Sequence, residues 1–204
     1  RTRSDCESRK ADLSEPKLLH FPTADHSGAA PALNIYTYDT ADEASSRYKD
    51  FEHLTGLSEE TWIVTLVPFW SIHRPTYNRA PAGEPGFHDG LPDPVNFIIS
   101  GHVHLFHLLQ EGTAAGVQLV VGGSGTELEK THHQSPRLNK SYSTFVVLDR
   151  APDGTTVMTV CEVPPGGTAS AWKTWDIVQT RTPWATTLDK ARDTALQSAC
   201  RSQS

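Results

Sequence analysis

Apolar residues in this chain fall into short runs separated by polar stretches rich in proline and glycine, and the runs have the length of strands. Residues 33–38 (LNIYTY), 61–69 (TWIVTLVPF), 95–100 (VNFIIS) and 117–121 (VQLVV) are rich in β-branched and aromatic side chains. They lack the strict alternation of a half-exposed strand, which predicts strands buried on both faces. Residues 143–149 and 155–161 flank Asp153-Gly154, a hairpin signal. Residues 171–178 predict a last strand. Helical spacing occurs in two places. Asp42 is an N-cap for a helix over 43–54, with Tyr48, Phe51 and Leu54 on one face and Gly56 as its stop. Residues 186–199 also read as helical. Residues 1–32 are broken by Pro16, Pro22, Gly28 and Pro31 and read as irregular, tied down if at all by Leu18, Leu19 and Phe21. This divides the chain into an irregular segment (1–32), a folded body (33–178) and a helical tail (179–204).

Buried strands with few helices fit an α/β body. At 204 residues the chain suits one domain. A net charge of −6 argues against a nucleic-acid surface, which needs a basic face. No apolar run is long enough to predict a membrane span. The chain begins at Arg1, which reads as a processed product or a piece of something longer. Cys6, Cys161 and Cys200 show no zinc-ribbon spacing; one disulfide with a free thiol, or three buried thiols, both fit. Asn139-Lys140-Ser141 is a glycosylation sequon and leans towards a secreted or extracytoplasmic protein.

Candidate chemistry concentrates at Gly101-His102-Val103-His104, directly after the run 95–100. Two His at i and i+2 in extended backbone would point to the same side. They would leave the carboxyl end of a buried strand together, where α/β sheets place ligands. Neutral imidazole is the commonest protein metal ligand.

Four blocks, in order, resemble the calcineurin-like metallophosphoesterases, in particular the purple-acid-phosphatase-like branch. Residues 100–106 (SGHVHLF) are similar to that family's GHxH block, and 118–126 (QLVVGGSGT) to the strand and glycine turn after it. Trp62-Ile63-Val64-Thr65 with Val67-Pro68-Phe69-Trp70 looks like its Thr-His-x-Pro-x-Trp strand end. Tyr38-Asp39-Thr40-Ala41 resembles the strand end before that. The likeness spans about residues 33 to 178. It implies a four-layer α/β/β/α sandwich with a dinuclear centre of divalent metals (Fe, Zn or Mn), and hydrolysis of a small-molecule or protein phosphate ester by a metal-bridging hydroxide. By the resemblance His102 would bind one metal and His104 the other.

Two departures qualify that implication. The family's Asp-x-His, Gly-Asp and Gly-Asn-His blocks are not found. Ala24-Asp25-His26 and Asp50-Phe51-Glu52-His53 offer the residue types without the spacing. The chain therefore resembles the C-terminal half of the domain, expected to be inactive alone and to need the N-terminal half to cover an open sheet edge. Leu66 also stands where the Thr-His-x-Pro-x-Trp pattern has its metal-binding His, and leucine cannot ligate. His73, in His73-Arg74-Pro75, is an alternative ligand in a shifted register. A noncatalytic binding module on the same fold is the alternative function. Simple metal capture by His102, His104 and His107 is a third.

Other residues carry less. Ser124 lacks the glycine two residues on that a nucleophile elbow needs, and a close backbone turn explains those glycines better. His107 reads as a rim residue, His132 and His133 as solvated, and His88-Asp89 as part of a loop. Trp62 and Trp70 read as core and rim packing; Trp172, Trp175 and Trp184 as an aromatic cluster under the last elements.

Overall fold

In a computed structural model, the chain is described at residues 16–21, 32–38, 40, 48–70, 83–88, 90–111, 116–122, 138–140, 143–151, 154–164, 166–181, 184–189 and 199–200. Nine strands precede the hairpin region: β1 (Lys17–Phe21), β2 (Leu33–Tyr38), β3 (Glu60–Thr65), β4 (Phe87–His88), β5 (Leu91–Pro92), β6 (Val95–Ser100), β7 (Phe106–Glu111), β8 (Gly116–Val121) and β9 (Leu138–Lys140). Then follow β10 (Ser143–Arg150), β11 (Thr156–Val163), β12 (Ser170–Arg181) and β13 (Trp184–Asp189). Seven strands form one mixed sheet in the order β1-β2-β3-β6-β8-β7-β9, and β10 to β13 form an antiparallel meander. β4 and β5 make a small ribbon.

The strands β2, β3, β6 and β8 are parallel, so their carboxyl ends share one edge of the sheet. Their register aligns Tyr38, Thr65, Ser100 and Val120 across that edge. Both faces of β3, β6 and β8 are covered, which suits apolar residues that fall on both faces of each strand. On the inner face Trp62, Phe97, Phe106 and Leu119 meet Met158, Val160, Trp175 and Ile177 of the meander. On the outer face Ile63, Ile98 and Leu109 meet Phe51, Leu54, Phe69, Trp70 and Leu91.

The two sheets are also joined by charge. The Arg150 guanidinium donates to both carboxylate oxygens of Glu60, at 3.2 and 2.8 Å, and Trp62 Nε1 donates to Glu60 at 2.8 Å. Glu60 is 4% exposed, so this is a buried, bidentate pair between β3 and β10.

The α/β class and the strands of the body stand as the pattern predicts, with few helices. The differences are local. The predicted helix over 43–54 is described only at Tyr48–Leu54, as a 3-10 helix. Leu18, Leu19 and Phe21 sit in a regular edge strand instead of irregular chain. Residues 106–111, unassigned from sequence, form β7, because β8 offers an edge that pairs them in full register. Residues 184–189 extend the meander instead of starting a helical tail; Thr186, Thr187 and Leu188 gain ladder partners on β12. Helical backbone appears at Ala199–Cys200, where Cys200 closes a disulfide with Cys161 across 39 positions. That rules out three buried thiols; Cys6 lies outside the described residues.

Candidate functional site

The carboxyl edge of the parallel strands is built by backbone contacts. β6 ends at Ser100, and the Gly101 N–H donates to the Leu66 carbonyl just past the end of β3, at 3.1 Å. Val103 N–H donates to Gly101 O at 2.7 Å, Leu105 N–H to Val103 O at 2.8 Å, and Gly122 N–H to Leu105 O at 3.1 Å. Two successive bonds spanning two residues make residues 101–105 a tightly wound turn. On the β2 side, the Thr40 hydroxyl accepts the Val67 N–H at 2.8 Å, while Thr65 Oγ1 donates to Val67 O at 2.8 Å.

Within this turn His102 has φ of 62°, in the left-handed region. A residue with a Cβ is disfavoured there by roughly 1–2 kcal/mol. The extended geometry expected for the two histidines therefore does not hold: the turn winds because Gly101 and Val103 close a bond around His102. His102 is exposed and His104 half-buried. Gly122 is the reason that the turn can lie so close to β8. A Cβ there would overlap the Val103 carbonyl oxygen, with its carbon at 2.7 Å. Gly122 thus serves close backbone approach, the role expected from sequence for this turn.

Leu66 joins this edge. Its carbonyl holds Gly101, and its side chain is 41% exposed. An exposed leucine stands beside the histidine turn. Past it, Phe69 and Trp70 turn into the outer-face core, each 1% exposed. The Gln118 side chain fixes that segment by accepting Trp70 N–H and donating to Trp70 O, both at 2.7 Å. Trp70 and Trp62 are core residues.

His107 is not on the rim. It is 2% exposed, in β7, in register with Val120. Strand alternation puts it on the face of Leu109, among the outer-face core, and among the described residues it forms no metal-holding group of three with His102 and His104. His73, Asp39, Ser124, His132 and His133 lie outside the described residues. The Gln118 clamp was not singled out from sequence; an amide inside an apolar strand was the available signal.

The donors present decide whether a dinuclear centre fits. Such a centre needs carboxylate, amide or imidazole ligands around two ions, including a bridge. Among the described residues no group of three or more His, Cys, Asp or Glu is placed to hold a metal ion. Two imidazoles stand on the turn, and Leu66 supplies no donor. The described residues do not make a dinuclear site.

No protein-family model matches the chain, and no curated protein matches it. Among solved structures it is similar to a purple acid phosphatase from yellow lupin (Lupinus luteus) seeds, with a TM-score of 0.42 and 14% identity over 64% of this chain and 28% of that one. It is also similar to GAP50, the anchor in the inner membrane complex of Plasmodium, with a TM-score of 0.41 and 12% identity over 88% of this chain and 55% of that one. The chain spans less than two thirds of the length of either.

Proposed function

We propose that this chain is part of a metal-dependent phosphoesterase-type domain that presents two histidines but is not a catalyst by itself. The observation that carries this reading is the wound turn 101–105. It places His102 and His104 at the shared carboxyl edge of β3, β6 and β8, with Leu66 bonded to its first residue. Parallel sheets gather ligands at that edge. Any complete metal centre there would draw its carboxylates from chain other than the described residues, so no hydrolytic step is assigned to the residues in hand. The substrate class under this reading is a phosphate ester. The buried Cys161–Cys200 disulfide supports residence in an oxidising, extracytoplasmic compartment.

The noncatalytic reading is supported by the exposed Leu66, at the position where the resemblance expects a ligand. Zinc titration calorimetry on the wild type, the His102→Ala/His104→Ala double variant and Leu66→His separates the two. If the edge is a metal site short of a donor, Leu66→His binds zinc at least about tenfold more tightly than the wild type, and the double variant loses the binding. Equal affinity for Leu66→His and the wild type rejects the metal-site reading at Leu66 and leaves the binding module.

A further inference from the structure

We propose that the edge strand β1 is a self-association surface, and that its occupant is β1 of a second copy of this chain, paired antiparallel about a two-fold axis at Leu19. Three of the four large exposed hydrophobic residues found among the described residues lie within this five-residue strand: Leu18 (48%), Leu19 (52%) and Phe21 (49%). β1 pairs with β2 on one side only; among the described residues no strand takes its other edge. That edge offers backbone donors and acceptors in a row.

The register shows what each face presents. Leu19 lies opposite Ile35 and Phe21 opposite Leu33, and both partners belong to the core between the sheets. Leu18 lies opposite Tyr36, on the outer face. A strand with apolar side chains on both faces has the composition of an interior strand. β1 is tied to β2 by a side-chain contact as well as by its ladder: His20 Nδ1 meets Asn34 Oδ1 at 2.7 Å. An apolar edge paired on one side is a template for adding a strand.

The sequence of the strand, Lys-Leu-Leu-His-Phe, selects a second copy. Antiparallel pairing about Leu19 sets Leu19 against its own mate, Leu18 against His20, and the Lys17 stem and ammonium against the Phe21 ring. Leu19 meets a leucine and Leu18 an imidazole, and Lys17 gains a cation–π contact with Phe21. The two Lys17 charges fall at opposite ends of the ribbon, whereas parallel pairing would set them face to face. Such an interface is isologous and closes on itself. It is also small. Stable dimers bury upwards of about 1,000 Å², more than one short strand pair provides. The dimer therefore dissociates on dilution through the micromolar range.

The test is sedimentation velocity of the full chain across that range, which reads mass and is independent of any metal or phosphate-ester chemistry. The expected result is a concentration-dependent monomer–dimer equilibrium whose dissociation constant rises roughly tenfold or more in Leu19→Glu, which puts like charges directly opposite. A second variant guards against misfolding. In a Cys6→Ala background, Leu19→Cys should cross-link to dimer under mild oxidation, since directly opposed Cα atoms about 4.5–5.5 Å apart suit a disulfide. Leu18→Cys, one position off the axis, should not. A wild type that stays monomeric throughout, a dimer unaffected by Leu19→Glu, or equal cross-linking at 18 and 19 overturns the proposal. The monomeric outcome would leave the edge to the N-terminal half of the domain, which the resemblance expects to cover an open sheet edge.

Discussion

Replacing Gly122 by alanine tests the construction of the histidine turn. The new methyl carbon would sit inside the contact distance of the Val103 carbonyl, 2.7 Å from its carbon and 3.4 Å from His104 Cα. The atoms that it meets are backbone, so no rotamer change relieves the overlap. Either β8's end or the turn must move by about an ångström, since non-bonded carbon atoms settle at about 3.5–4.0 Å. Overpacking of this kind costs about 1–3 kcal/mol. Displacing the turn also disturbs the bond from Gly122 N–H to Leu105 O, worth about 1 kcal/mol. The expected loss is therefore about 2–4 kcal/mol, read as a lower urea midpoint at unchanged slope. Any zinc binding by His102 and His104 should weaken in the same variant, because Val103 lies between them. A Gly122→Ala protein within about 0.5 kcal/mol of the wild type, the range of neutral surface changes, would refute the close-approach argument.

Further outcomes follow from other contacts. Glu60→Ala takes the shared carboxylate from the Arg150 guanidinium and the Trp62 N–H at the junction of the sheets, leaving the guanidinium its bond to Thr156 Oγ1; it should cost about 3–5 kcal/mol in chemical denaturation, and Arg150→Met added to it should recover part of that loss. His102→Gly removes a Cβ from a left-handed backbone; it should raise stability by about 1 kcal/mol, while ending any metal binding at the turn. Mutating Cys161 and Cys200 to serine opens a loop of 39 positions; the urea midpoint should fall by the equivalent of about 3–4 kcal/mol.

The strands of the body were legible because burial on both faces leaves an unmistakable apolar run; β3, β6 and β8 are the clearest cases. The hairpin of β10 and β11 was legible because Asp-Gly punctuates it. β7 was not: Phe106-His107-Leu108-Leu109-Gln110-Glu111 fits a helix as readily as a strand, and the pairing edge of β8 decides between them. The segment 184–189 is similar; its threonines and tryptophan have strand propensity, but the charged residues after it suggest a helix. At the site, the position of the histidines was legible and their conformation was not. A left-handed histidine cannot be read from residue types, because it follows from the Gly101–Val103 closure and from the approach of Gly122. Leu66 was legible as a departure from a motif. Its exposure and its bond to Gly101 come from the sheet register, which sets the end of β3 beside the end of β6.

The central claim is that two imidazoles on this edge do not make a catalyst. The measurement that tests it most directly is turnover of p-nitrophenyl phosphate by the purified chain, with zinc, manganese or iron supplied, beside the His102→Ala/His104→Ala variant. The account predicts no metal-dependent turnover by the wild type beyond that of the variant. Metal-dependent turnover that disappears in the variant would contradict it.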